Sequence, residues 1–297
     1  MRYFHGAGRH GPYFEGWYLK QQGSEGELAV IPAFHQTKKG VRSASIQVIT
    51  AEGSRLFSFP AQSFTAWPDR FQVRVGGNWF SEEGMHLELE EGGFSLRGDL
   101  RYGPLSPPEE DIMGPFRRLP GMECVHGVLS MEHRVDGELV YNGRSWMFRD
   151  GRGYLETDRG RSFPRRYLWT QCLWQERQRG SLMLSVARIP VGPVRFTGCI
   201  CQVDYAGRHW RLATYHGVRV ERWSRSGAVI RQGALRLVVD LLEQNASPLR
   251  APAAGDMSRT IHESLCAKVR YRFWADGALV FDHTDGRASY EYAQTEP

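Results

Sequence analysis

The feature that most limits how this chain can fold is a recurring alternation of apolar and polar residues. Leu182, Leu184 and Val186 follow a period of two, and the segment from Val269 to Phe273 does the same. Successive side chains of a strand point to opposite faces, so such segments are half-buried strands of antiparallel character. No segment keeps a helical period over three turns. We therefore expect an all-β protein with few or no long helices.

Glycine-containing dipeptides separate many of the alternating segments. Asp136-Gly137 and Asp276-Gly277 lie between such segments, and dipeptides of this kind are typical of two-residue hairpin turns. Strands at intervals of about ten residues are typical of an up-and-down barrel or a sandwich. A proline-rich stretch after Tyr102 interrupts the pattern. We expect two β-rich lobes, residues 1–150 and residues 151–297.

Composition excludes several classes of protein. The net charge is +5, but the basic residues are scattered among apolar ones instead of forming a stripe or tail, so we expect no nucleic-acid partner. The charge is compatible with weak peripheral association with an anionic membrane surface. The apolar runs are too short for a transmembrane helix, and the N-terminus lacks a signal-peptide pattern. Five cysteines in 297 residues are not a disulfide framework, so we expect a cytoplasmic protein.

The segment that begins at Gly153 carries the clearest chemical pattern. In an extended chain, Tyr154, Glu156 and Asp158 share one face. A carboxyl group in an apolar pocket can remain protonated near neutrality and act as an acid. The same residues are equally compatible with structural ion pairs to nearby arginines such as Arg159. The pattern therefore predicts either a catalytic carboxyl group or a charge-paired strand.

Two further segments combine aromatic and polar side chains on one strand face. After a turn at Pro164, a strand presents Tyr167, Trp169 and Gln171 on one face, a combination that is costly to bury and typical of a pocket. Near the N-terminus, Glu15 and Trp17 also share a face. These residues are expected to contact a ligand, with one alternative for the N-terminal segment: Glu15 pairs with an arginine and Trp17 fills the core.

Motifs for metals and cofactors are not found in the sequence. Cys199-Ile200-Cys201 lacks the second cysteine pair or nearby histidine that a zinc site needs, so we interpret both as core residues. His262-Glu263 is not followed by the second histidine of a zinc protease, and no phosphate-binding loop is present. We expect no metal and no cofactor.

Three motifs together resemble the tocopherol cyclase family. They are Phe14-Glu15-Gly16-Trp17-Tyr18, the segment from Gly153 to Gln171 with its Tyr-X-Glu, Phe-Pro and Tyr-X-Trp-X-Gln elements, and the segment Pro248 to Pro252 followed by Cys266. They occur in the family's order and span nearly the whole chain. The family is similar to carotenoid hydratases and to lipocalin-like pericyclases of fungi. The resemblance implies two lipocalin-like antiparallel lobes.

The resemblance also implies acid-catalysed cyclisation of a prenylated quinol. The prenyl alkene is protonated, and the phenolic oxygen closes on the carbocation to form a chromanol ring. This chemistry needs an acid, a dry cavity and aromatic faces that stabilise a cation. By resemblance, Glu156 is the acid, Tyr154 or Gln171 orients the acid or the substrate, and Trp17 and Trp169 face the cation. Arg250 is expected to be a structural clamp, and Asp158 is a second candidate carboxylate.

One residue departs from the family pattern, and two other functions stay open. Arg159 stands where plant members have tryptophan, and a guanidinium beside Glu156 would weaken it as an acid. The first alternative function is a non-catalytic carrier of a hydrophobic isoprenoid or lipid. The second is a hydratase or pericyclase that acts on a polyene. In each case the expected partner is a hydrophobic small molecule.

Overall fold

The computed structural model describes residues 3–119, 121–191 and 194–294, and these residues form an all-β protein. The described residues contain three short 3-10 turns and no α-helix. The prediction of an all-β chain without long helices is confirmed. The strands are β1 (Tyr13–Gln22), β2 (Glu27–Gln36), β3 (Arg42–Thr50), β4 (Gly53–Pro60), β5 (Phe64–Ala66), β6 (Gln72–Val75), β7 (Asn78–Ser81), β8 (Gly84–Glu91), β9 (Phe94–Tyr102), β10 (Cys124–Tyr141), β11 (Arg144–Gly160), β12 (Arg166–Gln175), β13 (Arg179–Val191), β14 (Val194–Tyr205), β15 (Arg208–Ala213), β16 (Arg219–Ser224), β17 (Gly227–Gln232), β18 (Leu235–Glu243), β19 (Ser247–Ala253), β20 (Asp256–Ala275) and β21 (Ala278–Gln294).

The chain forms two compact units, each built from three segments that are separated in the sequence. Unit 1 comprises Met1–Pro107, His126–Ser162 and Arg250–Arg259, and unit 2 comprises Pro108–Val125, Phe163–Leu249 and Thr260–Pro297. The expected lobe boundary at residue 150 falls within β11. Because β11 pairs with β1 as far as Gly160, residues 151–162 belong to the first unit.

Unit 1 is a nearly closed antiparallel barrel of 11 strands. Its strand order is β4-β3-β2-β1-β11-β10-β9-β8-β7-β6-β5, so β1 joins a strand that is distant in sequence. A cluster of apolar side chains fills the core, with Trp17, Leu19 and Leu155 among them. Alternate residues of these strands lie on the opposite face of the sheet, and this second face of unit 1 carries several buried polar groups.

Three neighbouring strands of unit 1 each contain a glycine at which the adjacent strand lies too close for a side chain. Gly84, Gly98 and Gly137 have φ angles of 152°, 135° and 137°, and a Cβ at any of them would lie 2.1–2.3 Å from a carbonyl oxygen of the adjacent strand. The prediction of a hairpin at Asp136-Gly137 is therefore wrong. The pair lies within β10, opposite Arg101 and Leu100, and the strand continues through it without reversing.

Unit 2 contains a 10-stranded sheet with its own apolar core. Its strand order is β15-β14-β13-β12-β21-β20-β18-β17-β16, and β19 pairs with β20. The core includes both Cys199 and Cys201, as the sequence predicts, and burial raises the pKa of each thiol. Asp276-Gly277 forms the predicted turn between β20 and β21, with φ angles of 52° and 80°. In the described residues, no helix has the length and apolar character needed to cross a membrane.

Candidate functional site

A largely buried histidine between two carboxylates forms a candidate site in unit 1. His126 Nε2 lies 3.3 Å from Glu156 Oε2, and His126 Nδ1 lies 3.0 Å from Asp158 Oδ1. The Tyr154 hydroxyl donates a hydrogen bond of 2.5 Å to the same oxygen of Glu156. Tyr154, Glu156 and Asp158 come from β11, whose alternation places them on one face, and His126 comes from the neighbouring β10. We call these four residues the acid cluster.

The charges in the acid cluster determine its protonation. Burial alone would lower the pKa of His126, but the carboxylates of Glu156 and Asp158 outweigh this effect and raise the pKa well above its ordinary value. The imidazole is therefore protonated at neutral pH. Burial and the charge of Glu156 raise the pKa of Tyr154 as well, so its hydroxyl stays neutral and donates. The cluster holds a transferable proton in a buried site.

The register between β1 and β11 separates Trp17 from the acid cluster. Tyr18 is the partner of Glu156, and Gly16 is the partner of Asp158, so the even-numbered residues of β1 share the face of the acid cluster. Trp17 is paired with Thr157 and packs in the apolar core on the other face, 6.1 Å from Phe71 between ring centroids. Within this unit, Trp17 therefore cannot face a cation formed beside Glu156.

Glu15 also lies on the core-facing side of β1, where it forms a separate buried cluster. Its carboxylate accepts hydrogen bonds from the Tyr13 hydroxyl at 2.7 Å and from the backbone N–H of His5 at 2.8 Å. The ring atom Nδ1 of His5 also lies 2.8 Å from Glu15 Oε1. Burial and the charge of Glu15 raise the pKa of Tyr13. The partners of Glu15 in this cluster are thus a histidine and a tyrosine, not the arginine that the alternative interpretation assumed.

Arg159 does not lie beside Glu156. It is the register partner of Glu15, so its side chain leaves β11 on the face opposite to Glu156. Its charge acts on Tyr13, whose pKa it lowers slightly against the larger effects of burial and Glu15. The expectation that the Arg159 guanidinium lies beside Glu156 is wrong, because neighbouring residues of a strand point to opposite faces.

Small and aromatic residues surround the acid cluster on its own face of β1. Gly16 has no side chain, and a Cβ at that position would lie 3.2 Å from the Cβ of Ala33. Phe14 and Tyr18 flank Gly16 on the same face and are buried. This part of the sheet thus carries two aromatic side chains, and the small residues Gly16 and Ala33 are register partners, with Gly16 beside Asp158.

The other predicted ligand contacts belong to unit 2. Tyr167, Trp169 and Gln171 share the face of β12 that points away from the apolar core of that unit, as their alternation predicts. Tyr167 donates a short hydrogen bond to Glu291 of β21, and Glu291 is also the register partner of Trp169. Glu291 in turn lies opposite Glu263 on β20. The three predicted residues thus adjoin a pair of buried carboxyl groups.

Gln171 is the least satisfied polar side chain of this group. It is fully buried, and neither its amide oxygen nor its amide nitrogen has a hydrogen-bond partner among the described residues. Its neighbours across the strands are Met183 and Ser289. A buried amide without partners costs several kcal/mol in an apolar environment, typically about 1–3 kcal/mol in proteins. Such an amide is well suited to bind a ligand that offers both a donor and an acceptor.

Of the two residues expected to be structural, Pro164 lies in a connection and Arg250 lies in β19. Pro164 is half-buried in the link between β11 and β12. Arg250 has an exposed side chain, and it is held through its backbone: its N–H donates to Gln47 Oε1 at 2.8 Å, and its carbonyl accepts from Gln47 Nε2 at 2.9 Å. The clamp at this position therefore uses the Arg250 backbone and the Gln47 side chain.

Sequence reasoning missed His126, Glu263 and Glu291. His126 is a single histidine at the start of an ordinary alternating strand, so nothing local distinguishes it from the other nine histidines. Its role depends on the pairing of β10 with β11. Glu263 and Glu291 are likewise separated in sequence and meet only through the β20–β21 register.

Two groups of side chains in the described residues have donor atoms close enough to hold a metal ion. One is His126 with Glu156 and Asp158, and the other is Cys172 with His283 and Asp285. A histidine must lose its proton to bind a metal. The raised pKa of His126 therefore makes the acid cluster better suited to hold a proton than a cation.

Comparison with known proteins supports the fold. No protein-family model matches the chain. Three solved structures are similar over nearly its whole length: a candidate AttH protein from Nitrosomonas europaea (TM-score 0.56, 14% identity, 94% of this chain and 92% of that chain), kievitone hydratase from Nectria haematococca (0.55, 10%, 96% and 90%) and CghA with Sch210972 (0.59, 11%, 95% and 88%). At these identities the similarity establishes a shared lipocalin-like β fold.

Proposed function

We propose that this chain is an enzyme that protonates an alkene of a hydrophobic, prenylated substrate, as a tocopherol cyclase does. The observation that carries the proposal is His126 lying 3.3 Å from Glu156, with Tyr154 hydrogen-bonded to the same carboxylate oxygen and the pKa of His126 raised by the two carboxylates. Strongly shifted titratable groups that are buried together are typical of acid–base sites. The proposal includes a cytoplasmic enzyme with weak peripheral membrane association and without a nucleic-acid partner.

In the proposed reaction, Glu156 and His126 share the transferable proton. Glu156 donates it to the less substituted carbon of the prenyl alkene, the π electrons form the new C–H bond, and the other alkene carbon becomes a tertiary carbocation. His126 then returns a proton to Glu156, and Asp158 holds the opposite ring nitrogen. The phenolic oxygen of the substrate closes on the cation and releases its proton to the cluster, so the reaction is an isomerisation. The rings of Phe14 and Tyr18 lie on the correct face to stabilise the cation.

A hydratase is the second form of the same chemistry. In that form water, not the phenolic oxygen, captures the carbocation. The similarity of fold to a protein named kievitone hydratase favours this alternative.

A carrier without catalysis is the third possible function. The observation in its favour is that Glu156 and Asp158 both lie beside His126, as they would in a structural ion pair.

The first test compares Glu156→Gln with the wild type. Glutamine keeps the shape of the side chain but has no transferable proton, so we expect binding of a prenylquinol to survive and turnover to fall by about 10²–10⁴-fold. Binding is measured by tryptophan fluorescence and product by mass spectrometry. Glu132→Gln is the matched control, because Glu132 is a largely buried carboxylate of the same unit that pairs with Arg152 at 2.6 Å.

The results separate the three functions. A chromanol product indicates a cyclase, an alcohol product indicates a hydratase, and saturable binding without any product indicates a carrier. Full activity in Glu156→Gln would remove this carboxyl group from the mechanism. Loss of activity in Glu132→Gln to the same degree would attribute the effect to lost stability.

The pH profile supplies a second test of the acid cluster. The proposed reaction needs protonated His126, whose pKa is raised well above 6.5. Turnover should therefore persist through neutral pH and fall on the alkaline side, as pH rises through that pKa. In His126→Gln this alkaline decrease should be absent from the residual activity. A rate that already falls between pH 6 and pH 7 in the wild type contradicts the assignment.

A further inference from the structure

A second cluster of titratable side chains lies in unit 2, outside the proposed acid site. Cys172, His283 and Asp285 each place a donor atom within 4.8 Å of the others. All three lie in unit 2, where Cys172 is fully buried and the side chains of His283 and Asp285 are 5% and 15% exposed. The cluster thus reaches from the core of unit 2 towards its surface.

The strand geometry brings these three residues together. Cys172 lies on the core-facing side of β12, and His283 and Asp285 lie two residues apart on the neighbouring β21. The β20–β21 register shifts between Ala267 and Val269, because β21 carries an extra residue between Asp285 and Ala288. Irregularities of this kind re-aim side chains near functional sites. The backbone N–H of Arg287 donates to Asp285 Oδ1 at 2.6 Å and fixes the carboxylate.

The histidine ring is held in one orientation. It stacks on Trp174, with ring centroids 4.6 Å apart and planes inclined by 17°. Its Nε2 lies 3.1 Å from Asp285 Oδ2, and its Nδ1 lies 3.7 Å from Glu176 Oε1. A metal-binding histidine commonly donates its second N–H to a carboxylate, which sets its tautomer. Glu176 lies on the correct side of the ring for that role.

We propose that Cys172, His283 and Asp285 form a binding site for a divalent transition-metal ion of the zinc class. Thiolate, imidazole and carboxylate are the donors that Zn²⁺ takes in proteins, and three protein ligands leave a fourth position for water. On binding, the Cys172 thiol releases its proton to solvent and its sulfur bonds to the metal. His283 binds through Nε2, and Asp285 through Oδ2.

The other buried thiols provide an internal comparison. Cys199 and Cys201 are also buried in the core of unit 2, but neither belongs to a metal-competent group in the described residues. Cys201 is fully buried, as Cys172 is. A serine at position 201 therefore disturbs a comparable core position without touching the proposed site.

The test is titration of tag-free, metal-stripped protein with Co²⁺, which reports its ligands by absorption. We expect about one Co²⁺ per chain, with the visible bands of a tetrahedral ion and a near-ultraviolet thiolate-to-metal charge-transfer band. Zn²⁺ should displace the Co²⁺ and raise the thermal midpoint. The charge-transfer band should disappear in Cys172→Ser and persist in Cys201→Ser.

Asp285→Asn keeps the proposal testable if Cys172→Ser does not fold. This variant preserves the volume of the side chain and should weaken Co²⁺ binding by at least about tenfold. Absence of binding by wild-type protein overturns the proposal. So does Co²⁺ binding without the charge-transfer band, or a band that is lost in Cys201→Ser instead of Cys172→Ser.

Discussion

At the scale of single residues, two buried glutamines of unit 2 differ in how they are satisfied. Gln202 donates to Asp204 at 2.6 Å and accepts from Arg211 at 2.8 Å. Gln171 has neither a donor nor an acceptor partner among the described residues. Because a buried amide without partners is costly, we propose that Gln171 binds a polar group of a ligand.

Replacing Gln171 by leucine should make the ligand-free protein more stable. The change removes an unsatisfied buried amide and keeps a similar volume, so we expect the free energy of unfolding to rise by about 1–3 kcal/mol. Affinity for an oxygen-bearing ligand such as a prenylquinol should fall in the same variant. Urea denaturation and fluorescence titration measure the two effects.

Gln202→Leu serves as the matched control and should behave in the opposite way. It leaves Asp204 and Arg211 without a partner, so its unfolding free energy should fall. If Gln171→Leu also destabilises the protein and leaves affinity unchanged, the Gln171 amide is satisfied by structural water and is not a ligand contact.

The acid cluster illustrates what can be predicted of a site from sequence. The alternation in β11 was enough to group Tyr154, Glu156 and Asp158 on one face, because that grouping depends only on neighbouring residues. His126 cannot be found from the sequence, and the choice between ligand contact and core for Trp17 stays open there, because both depend on how β11 pairs with β10 and β1. Pairing between distant strands is set by the packing of the whole barrel.

At the scale of secondary-structure elements, the same dipeptide adopts two different structures. Asp276-Gly277 forms a hairpin turn, and Asp136-Gly137 lies inside the 18-residue strand β10. The side chain of Asp136 accepts a hydrogen bond from the backbone of Asp150, which holds it in the strand. The neighbouring β9 lies so close that only glycine fits at position 137. Local sequence favours a turn at both sites, and the adjacent strand decides between them.

The close pairing of β10 with β9 should depend on the absence of a side chain at Gly137. In Gly137→Ala the added Cβ would lie 2.2 Å from Asp99 O at a φ of 137°. We expect the unfolding free energy to fall by at least about 1–3 kcal/mol, the usual cost of a strained backbone position. Gly277→Asn is the control, because the space around Gly277 is open and asparagine tolerates a left-handed turn. Equal urea midpoints for the two variants would contradict the requirement for glycine at position 137.

At the scale of the whole molecule, histidines with shifted pKa values should lower the stability both when the pH falls and when it rises. Burial lowers the pKa of His35 to about 4 and that of His133 to about 3. Below pH 6.5 the unfolded chain takes up protons that the folded chain does not, so stability is lost as pH falls towards these values. His126 acts in the opposite direction: its stabilising contribution is present below pH 6.5 and is lost as pH rises through its raised pKa.

His35→Gln should therefore flatten the acid side of this profile. Each unit of pKa shift corresponds to about 1.4 kcal/mol, so His35 should account for roughly 3 kcal/mol of the stability lost between pH 7 and pH 4. The measurement is the free energy of unfolding in urea across this range. His10→Gln is the control, since His10 is exposed in the same unit. Parallel pH profiles for wild type and His35→Gln would exclude His35 as a cause of acid destabilisation.

The pairing of β1 with β11 has a consequence for how the protein is made. Strands β1 to β4 can form a meander early during translation, but the register joins Phe14 to Gly160. At a translation rate of about 5–20 residues per second, the edge of β1 that will pair with β11 stays unpaired for on the order of 10 s. In unit 2, β12 waits for β21 in the same way, because Arg166 pairs with Gln294. An unpaired strand edge is a template for association with other chains. The growing chain therefore exposes an unpaired strand edge between the emergence of β1 and that of β11, and slower translation of this interval should lower the soluble yield.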